Sequence, residues 1–134
     1  MDRRAWIAVG LVAGLAWAAV PVFAEEAGGT TEIARAEAYA ADAFNAYARK
    51  DYASAIALYQ KALETAPSAD ILYNIARIYD AKLKNRSLAI EYYRRYTLDT
   101  GADPNRLRVV SMRLSELREL EAIAAQSPAS GAPG

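Results

Sequence analysis

The stretch DYASAIALYQKALETAP, residues 51–67, decides the fold, because much of its pattern returns in RSLAIEYYRRYTLDTG, residues 86–101. Ala55-Ile56 is followed three residues later by Tyr59, and Ala89-Ile90 by Tyr93. The steps from Ala55 to Ala89 and from Tyr59 to Tyr93 are both 34 residues. Alanine is the best helix former and a poor strand former, and residues three or four apart share a helix face. Recurrence at a period of about 20–50 residues marks stacked units, none of which can bury its apolar face alone. The expected fold class is all-α.

Working outward, the spacing predicts five helices. The first ends near Arg49 and carries Ile33, Ala36, Tyr39, Ala43, Ala46 and Tyr47 at helical spacing. Thr30 or Thr31 offers its N-cap, behind the helix breakers Gly28-Gly29. The second follows a turn at Arg49-Lys50-Asp51, with Asp51 as cap, and stops at Pro67. Ser68 caps the third, ADILYNIARIYDAKL, and KNRS leads to the fourth, LAIEYYRRYTLDT. Gly101 stands where a left-handed C-terminal cap would fall. Asp103-Pro104, a cap followed by proline at the first helical position, starts the fifth helix, with Leu107, Val110, Leu114, Leu117 and Leu120 as its stripe.

These residues resemble the tetratricopeptide repeat family. In AEAYAADAFNAYARKDYASAIALYQKALETAP, Ala43 holds the family's small position, and Tyr52, Ala55, Tyr59, Ala62 and Pro67 hold other signature places. In the second copy LYNIARIY supplies Tyr73, Ala76 and Tyr79, and LAIEYYRRY supplies Ala89 and Tyr93. The resemblance implies a short right-handed solenoid over residues 36–125: repeats at about 36–67 and 69–101, then a capping helix at 104–125 with Ser111 at the small position. Ala43, Ala55, Tyr59, Ala62, Ala76, Tyr79, Ala89 and Tyr93 are then packing residues. Small side chains let the helices cross closely, and tyrosines fill the space around each crossing. Three departures stand out. Tyr96 replaces an alanine, Gly101 replaces a proline, and Ala43 to Ala76 is 33 residues where Ala55 to Ala89 is 34. The last places one extra residue in the second hairpin turn. On the capping helix, Arg106, Arg113, Glu116, Arg118 and Glu119 are expected to face outward, and its overhanging end offers a homodimer contact.

Composition excludes several classes. Lysine plus arginine balance aspartate plus glutamate, 16 against 16, which argues against nucleic acid. The chain lacks both cysteine and histidine, so the usual thiolate nucleophile, neutral-pH base and commonest metal ligands are missing. Asp42 and Asp51 have no partner at metal-ligand spacing, and no glycine-rich loop precedes a helix. No catalytic residue, cofactor or metal site is expected.

The N-terminus, MDRRAWIAVGLVAGLAWAAVPVFAEE, has two arginines, an uncharged run from Ala5 to Ala24, Pro21, and small residues at Val22 and Ala24. That is the layout of a signal peptide, residues 1–24, cut behind Ala24. The alternative is an uncleaved anchor through residues 5–24, holding an oligomerising protein at the inner membrane. Residues 25–35 are expected to form a flexible lead-in and 126–134 a disordered tail.

The resemblance implies a non-enzymatic adaptor or scaffold, exported to the periplasm or secreted, that binds a peptide or protein on the concave face of the first helices of each repeat. Mapped onto this chain, that face presents Ala40, Phe44, Tyr47, Tyr73, Asn74, Arg77, Asp80, Arg108 and Met112. Phe44, opposite the packing stripe, is the expected hot spot. Asn74 matches one residue of the family's carboxylate clamp. Ala40 and Phe44 replace two others, so chaperone C-terminal peptides are not the expected ligand.

Overall fold

A computed structural model describes residues 23–127. Among these residues the fold is all-helical, without strands. The helices are α1 (Phe23–Ala48), α2 (Tyr52–Thr65), α3 (Ala69–Arg77), α4 (Arg86–Leu98) and α5 (Pro104–Gln126), with a π turn at Ile78–Lys82 continuing α3. α1 packs on α2, α3 and its π turn pack on α4, and α5 lies against α4. The result is two helical hairpins followed by a single helix.

Each hairpin turn is built by the same chemistry. Lys50 and Lys84, 34 residues apart, are the two non-glycine residues with positive φ among those described, at 65° and 53°. A left-handed residue there ends one helix and frees the next residue to cap the following one. Asp51 accepts from the Ser54 N–H and Asn85 from the Leu88 N–H, each at 3.1 Å. At the first turn the Asp51 N–H also bonds Ala46 O and the Lys50 N–H bonds Tyr47 O, a Schellman closure.

Since the turns keep the 34-residue step, the extra residue is not in the second turn, where it was expected. It lies inside the helix. From Ala76 to Lys84 the chain must fit one residue more than from Ala43 to Lys50, and it does so by widening to the π turn, where the Leu83 N–H reaches Ile78 O at 3.0 Å.

Other expectations need correction. The lead-in at 25–35 is helical: α1 runs through Gly28-Gly29, and Thr30 and Thr31 lie within it rather than at its start. Each glycine costs the helix about 1 kcal/mol relative to alanine, which a helix already nucleated by its packed half can absorb. Ser68 precedes α3 but makes no side-chain cap, and only its carbonyl engages Leu72 N. Gly101 has no positive φ. α4 ends at Leu98, and the Gly101 N–H donates to Asp99 Oδ1 at 2.8 Å, an approach that would press a β-carbon to 3.2 Å of that oxygen. The other caps agree with expectation, with Asp103 accepting from the Arg106 N–H at 2.8 Å behind Pro104. The expected signal peptide lies outside the described residues except for its last two positions, and so does the expected tail beyond Ser127.

The core follows the small-and-aromatic pattern. Ala43, Ala55, Ala62, Ala76 and Ala89 are fully buried, and Tyr59 and Tyr93 nearly so. Tyr79 is half-buried and stacks on Tyr92, with ring centroids 5.8 Å apart. Tyr96, where the resemblance leads one to expect an alanine, is completely buried between Tyr73, at 5.6 Å, and the start of α5, where its hydroxyl accepts from the Asp103 N–H at 3.1 Å. Because the helices approach over bare β-carbons, Ala43→Leu or Ala76→Leu should each destabilise the chain by about 1–3 kcal/mol through overpacking, measurable in a urea melt. Unchanged midpoints for both would show that these crossings are not tight.

Candidate partner-binding groove

Residues of α1 and α3, with others from α2 and the segment after it, line two clefts that share Asn74. The first, about 160 Å³, is lined by Phe44 and Tyr47 of α1, Tyr59 of α2, and Asn74, Arg77, Ile78 and Ala81. The second, about 320 Å³, is lined by Ile33, Ala36, Glu37 and Ala40 of α1, by residues 66–68, and by Asp70 and Ile71 of α3. Ala36 and Ile71 are buried, and Ile33, Glu37 and Asp70 exposed. The π turn contributes Ile78 and Ala81 to the first cleft, a consequence of the wider register that the sequence spacing does not reveal.

Phe44 is 62% exposed at the first cleft, an unusual state for a phenylalanine whose neighbour Ala43 is fully buried. Arg77 stands at the same cleft and lies over the Tyr73 ring at 5.8 Å, and the Lys82 ammonium lies 5.8 Å over the Tyr47 ring. Both cations therefore sit beside aromatic faces that attract them.

Of the residues expected on this face, Phe44, Tyr47, Asn74 and Arg77 line the first cleft, and Ala40 with Asn74 lines the second. Tyr73 lines neither. It is half-buried against Tyr96 and Tyr93, with the Arg106 guanidinium 4.6 Å from its ring centre. Asp80 also turns away, toward α5, where Arg113 forks onto it through Nε at 2.9 Å and Nη2 at 2.7 Å, and Tyr93 donates its hydroxyl at 3.2 Å. Arg108 and Met112 are exposed on α5, Met112 by 71%, and line neither cleft. Ile33, Ala36, Glu37, Tyr59, Asp70, Ile71, Ile78 and Ala81 were not anticipated as groove residues. The weak signal for the second cleft was the alanine run of α1, which leaves room beside it.

The ties to α5 correct a second expectation. Arg106 and Arg113 do not face outward. Arg106 pairs with Asp70, and Arg113 pairs with Asp80 and with Glu116 at 2.7 Å. Arg118 and Glu119 do face solvent. Ser111, which the resemblance groups with the buried Ala43 and Ala76, is exposed, and no described helix follows to cover it.

The hydrogen bonds from Arg113 hold the Asp80 carboxyl below its ordinary value, with partial burial opposing and the Arg113 charge and the Tyr93 hydroxyl assisting. Burial, then the Asp80 charge, pushes the Tyr93 phenol well above the usual range. A carboxyl depressed on folding stabilises the fold above its unfolded pKa of about 3.9, and that contribution is lost as pH falls through the lower folded value. Melting temperature should therefore drop below about pH 4, and part of that drop should vanish in Asp80→Asn. Identical acid limbs in the two proteins would show that the pair does not couple to folding.

The fold and groove thus define an all-helical chain of two hairpins and a closing helix, with one aromatic-lined surface open to solvent. No family model matches the chain, no curated protein matches it, and no solved structure matches it. Among the described residues no helix is long and apolar enough to cross a membrane.

Proposed function

We propose that this chain is a non-enzymatic, exported adaptor of the tetratricopeptide type. It has two repeats and a capping helix in a short right-handed solenoid, and it takes a peptide or protein partner into the α1–α3 groove in the cell envelope. One observation carries the reading: Phe44 stays largely exposed beside an open cleft formed by the first helices of the two hairpins. Large exposed aromatics at the centre of a concave surface are the usual anchors of protein recognition. The internal features of the recurrence support the class: a 34-residue step kept by both turns, and alanines buried at corresponding crossings. Export rests on the composition of residues 1–24.

The test is partner capture from an envelope fraction with the wild-type chain and with Phe44→Ala. An aromatic anchor contributes about 2 kcal/mol or more, so capture should fall about thirtyfold while the melting temperature stays unchanged. Arg118→Glu, on the outer side of α5, should leave capture intact. Equal losses in both variants would place binding on α5 and overturn the groove reading.

A further inference from the structure

The groove is electrically two-ended. At the first cleft the charged groups are cations: Arg77 in its lining and Lys82 over Tyr47. At the second they are acids, Glu37 and Asp70. Asp70 is engaged by Arg106, while Glu37 is exposed and takes part in no ion pair among the described residues. Arg77 and Lys82 are likewise exposed and outside those ion pairs, so the first end keeps its cations and the second keeps Glu37 to meet a ligand.

The spacing of the two ends is set by the helices that carry them. Ala40 and Tyr47 are seven residues apart on α1, as are Ile71 and Ile78 on α3 and its π turn, which is roughly 10 Å at helical rise. The walls differ as well. Phe44, Tyr47 and Tyr59 make the first cleft aromatic, whereas the second is lined in part by Ala36, Ala40 and Ala66, small side chains of the kind over which another helix can approach closely.

Resting on the adaptor reading above, we propose that the groove's ligand is one amphipathic helix of a partner protein. It carries apolar side chains at positions i and i+7, an acidic residue beside the first and a basic residue beside the second. The first anchor enters between Phe44 and Tyr47 with its acid on Arg77. The second settles over Ala36 and Ala40 with its base on Glu37. Apolar anchors supply the affinity, and the opposed charges fix which end goes where, as complementary charges do at interfaces generally.

The experiment uses the full chain and four fluorescein-labelled, hydrocarbon-stapled alanine-rich peptides. All carry two leucines seven positions apart, and they differ only in the residues flanking those leucines: glutamate and lysine, two glutamates, two lysines, or two glutamines. Anisotropy at low salt should rank the mixed peptide first, about two- to fivefold tighter than the glutamine peptide, since each contact is an exposed pair. Arg77→Glu should move the preference to the two-lysine peptide, and Glu37→Lys to the two-glutamate peptide. Both effects should fade as salt is raised. Phe44→Ala should weaken all four.

A ranking that neither charge reversal changes would overturn the two-ended ligand while leaving the groove in place, provided Phe44→Ala still weakens every peptide. Binding indifferent to Phe44→Ala would overturn the groove itself. Absence of binding by all four peptides would overturn the helical ligand, and Phe44-dependent capture of the natural partner would then still support the adaptor.

Discussion

Tyr96→Ala should destabilise the chain by about 3–5 kcal/mol, the range for removing a large buried ring. The ring is completely buried, and it is the side chain at which α3, α4 and the start of α5 meet. Its removal leaves a cavity that the Tyr73 ring, held beside Tyr93 and under Arg106, cannot readily fill. Tyr96→Phe separates the two roles of this residue. It keeps the packing and loses only the bond that the hydroxyl accepts from the Asp103 N–H, so about 0.5–1.5 kcal/mol is expected. Urea melts of both variants decide the matter, and equal losses would mean that the hydroxyl, not the ring, is the important part.

Ending the chain before Asp103 should have the larger effect: loss of cooperative folding. α5 buries Val110, Leu114 and Leu117, each contributing about 1.5–3 kcal/mol. It also carries both arginines that hold Asp70 and Asp80, and Glu121, which accepts from the Ser87 hydroxyl at 2.6 Å. Together these approach the whole stability of a domain this size, about 5–15 kcal/mol. Circular dichroism of the truncated chain should show reduced helicity without a sharp melt. A sharp transition near that of the intact protein would mean that the hairpins stand without α5.

Features set by near neighbours in the chain were legible in the sequence. Asp51 and Asp103-Pro104 announce helix starts because a cap is chosen by the residues it bonds, three positions away. Ala43, Ala55, Ala76 and Ala89 announce crossings because only small side chains fit there. Of the groove, Phe44 was readable as the face opposite that stripe, while Tyr47, Asn74 and Arg77 were expected only through the resemblance. Asp80 was not, because face assignments assume one unbroken helical period and Asp80 lies within the π turn. Arg106 and Arg113 were misread for another reason. A charged residue on a terminal helix looks solvated unless its partner is known, and these partners lie more than thirty residues earlier, at Asp70 and Asp80. Gly28-Gly29 marked a break on propensity alone, and the helix carries them at modest cost.

The π turn has a consequence for how this chain can tolerate changes in length. Gains and losses of residues are usually absorbed by surface loops, where nothing downstream need rotate. Here the two turns are chemically alike and cannot stretch without losing their left-handed lysine or their capping side chain. The surplus residue is stored in the helix instead, next to solvent-exposed Ala81. Deleting Ala81 would shorten the stretch from Ala76 to the left-handed lysine to the seven residues that separate Ala43 from Lys50, and the π turn would close to a regular one. Asp80, inside that turn, would lose the direction in which Arg113 meets it, and the first cleft would lose Ala81 from its wall. A position that looks dispensable thus holds open the turn that joins the groove to the helix closing the fold.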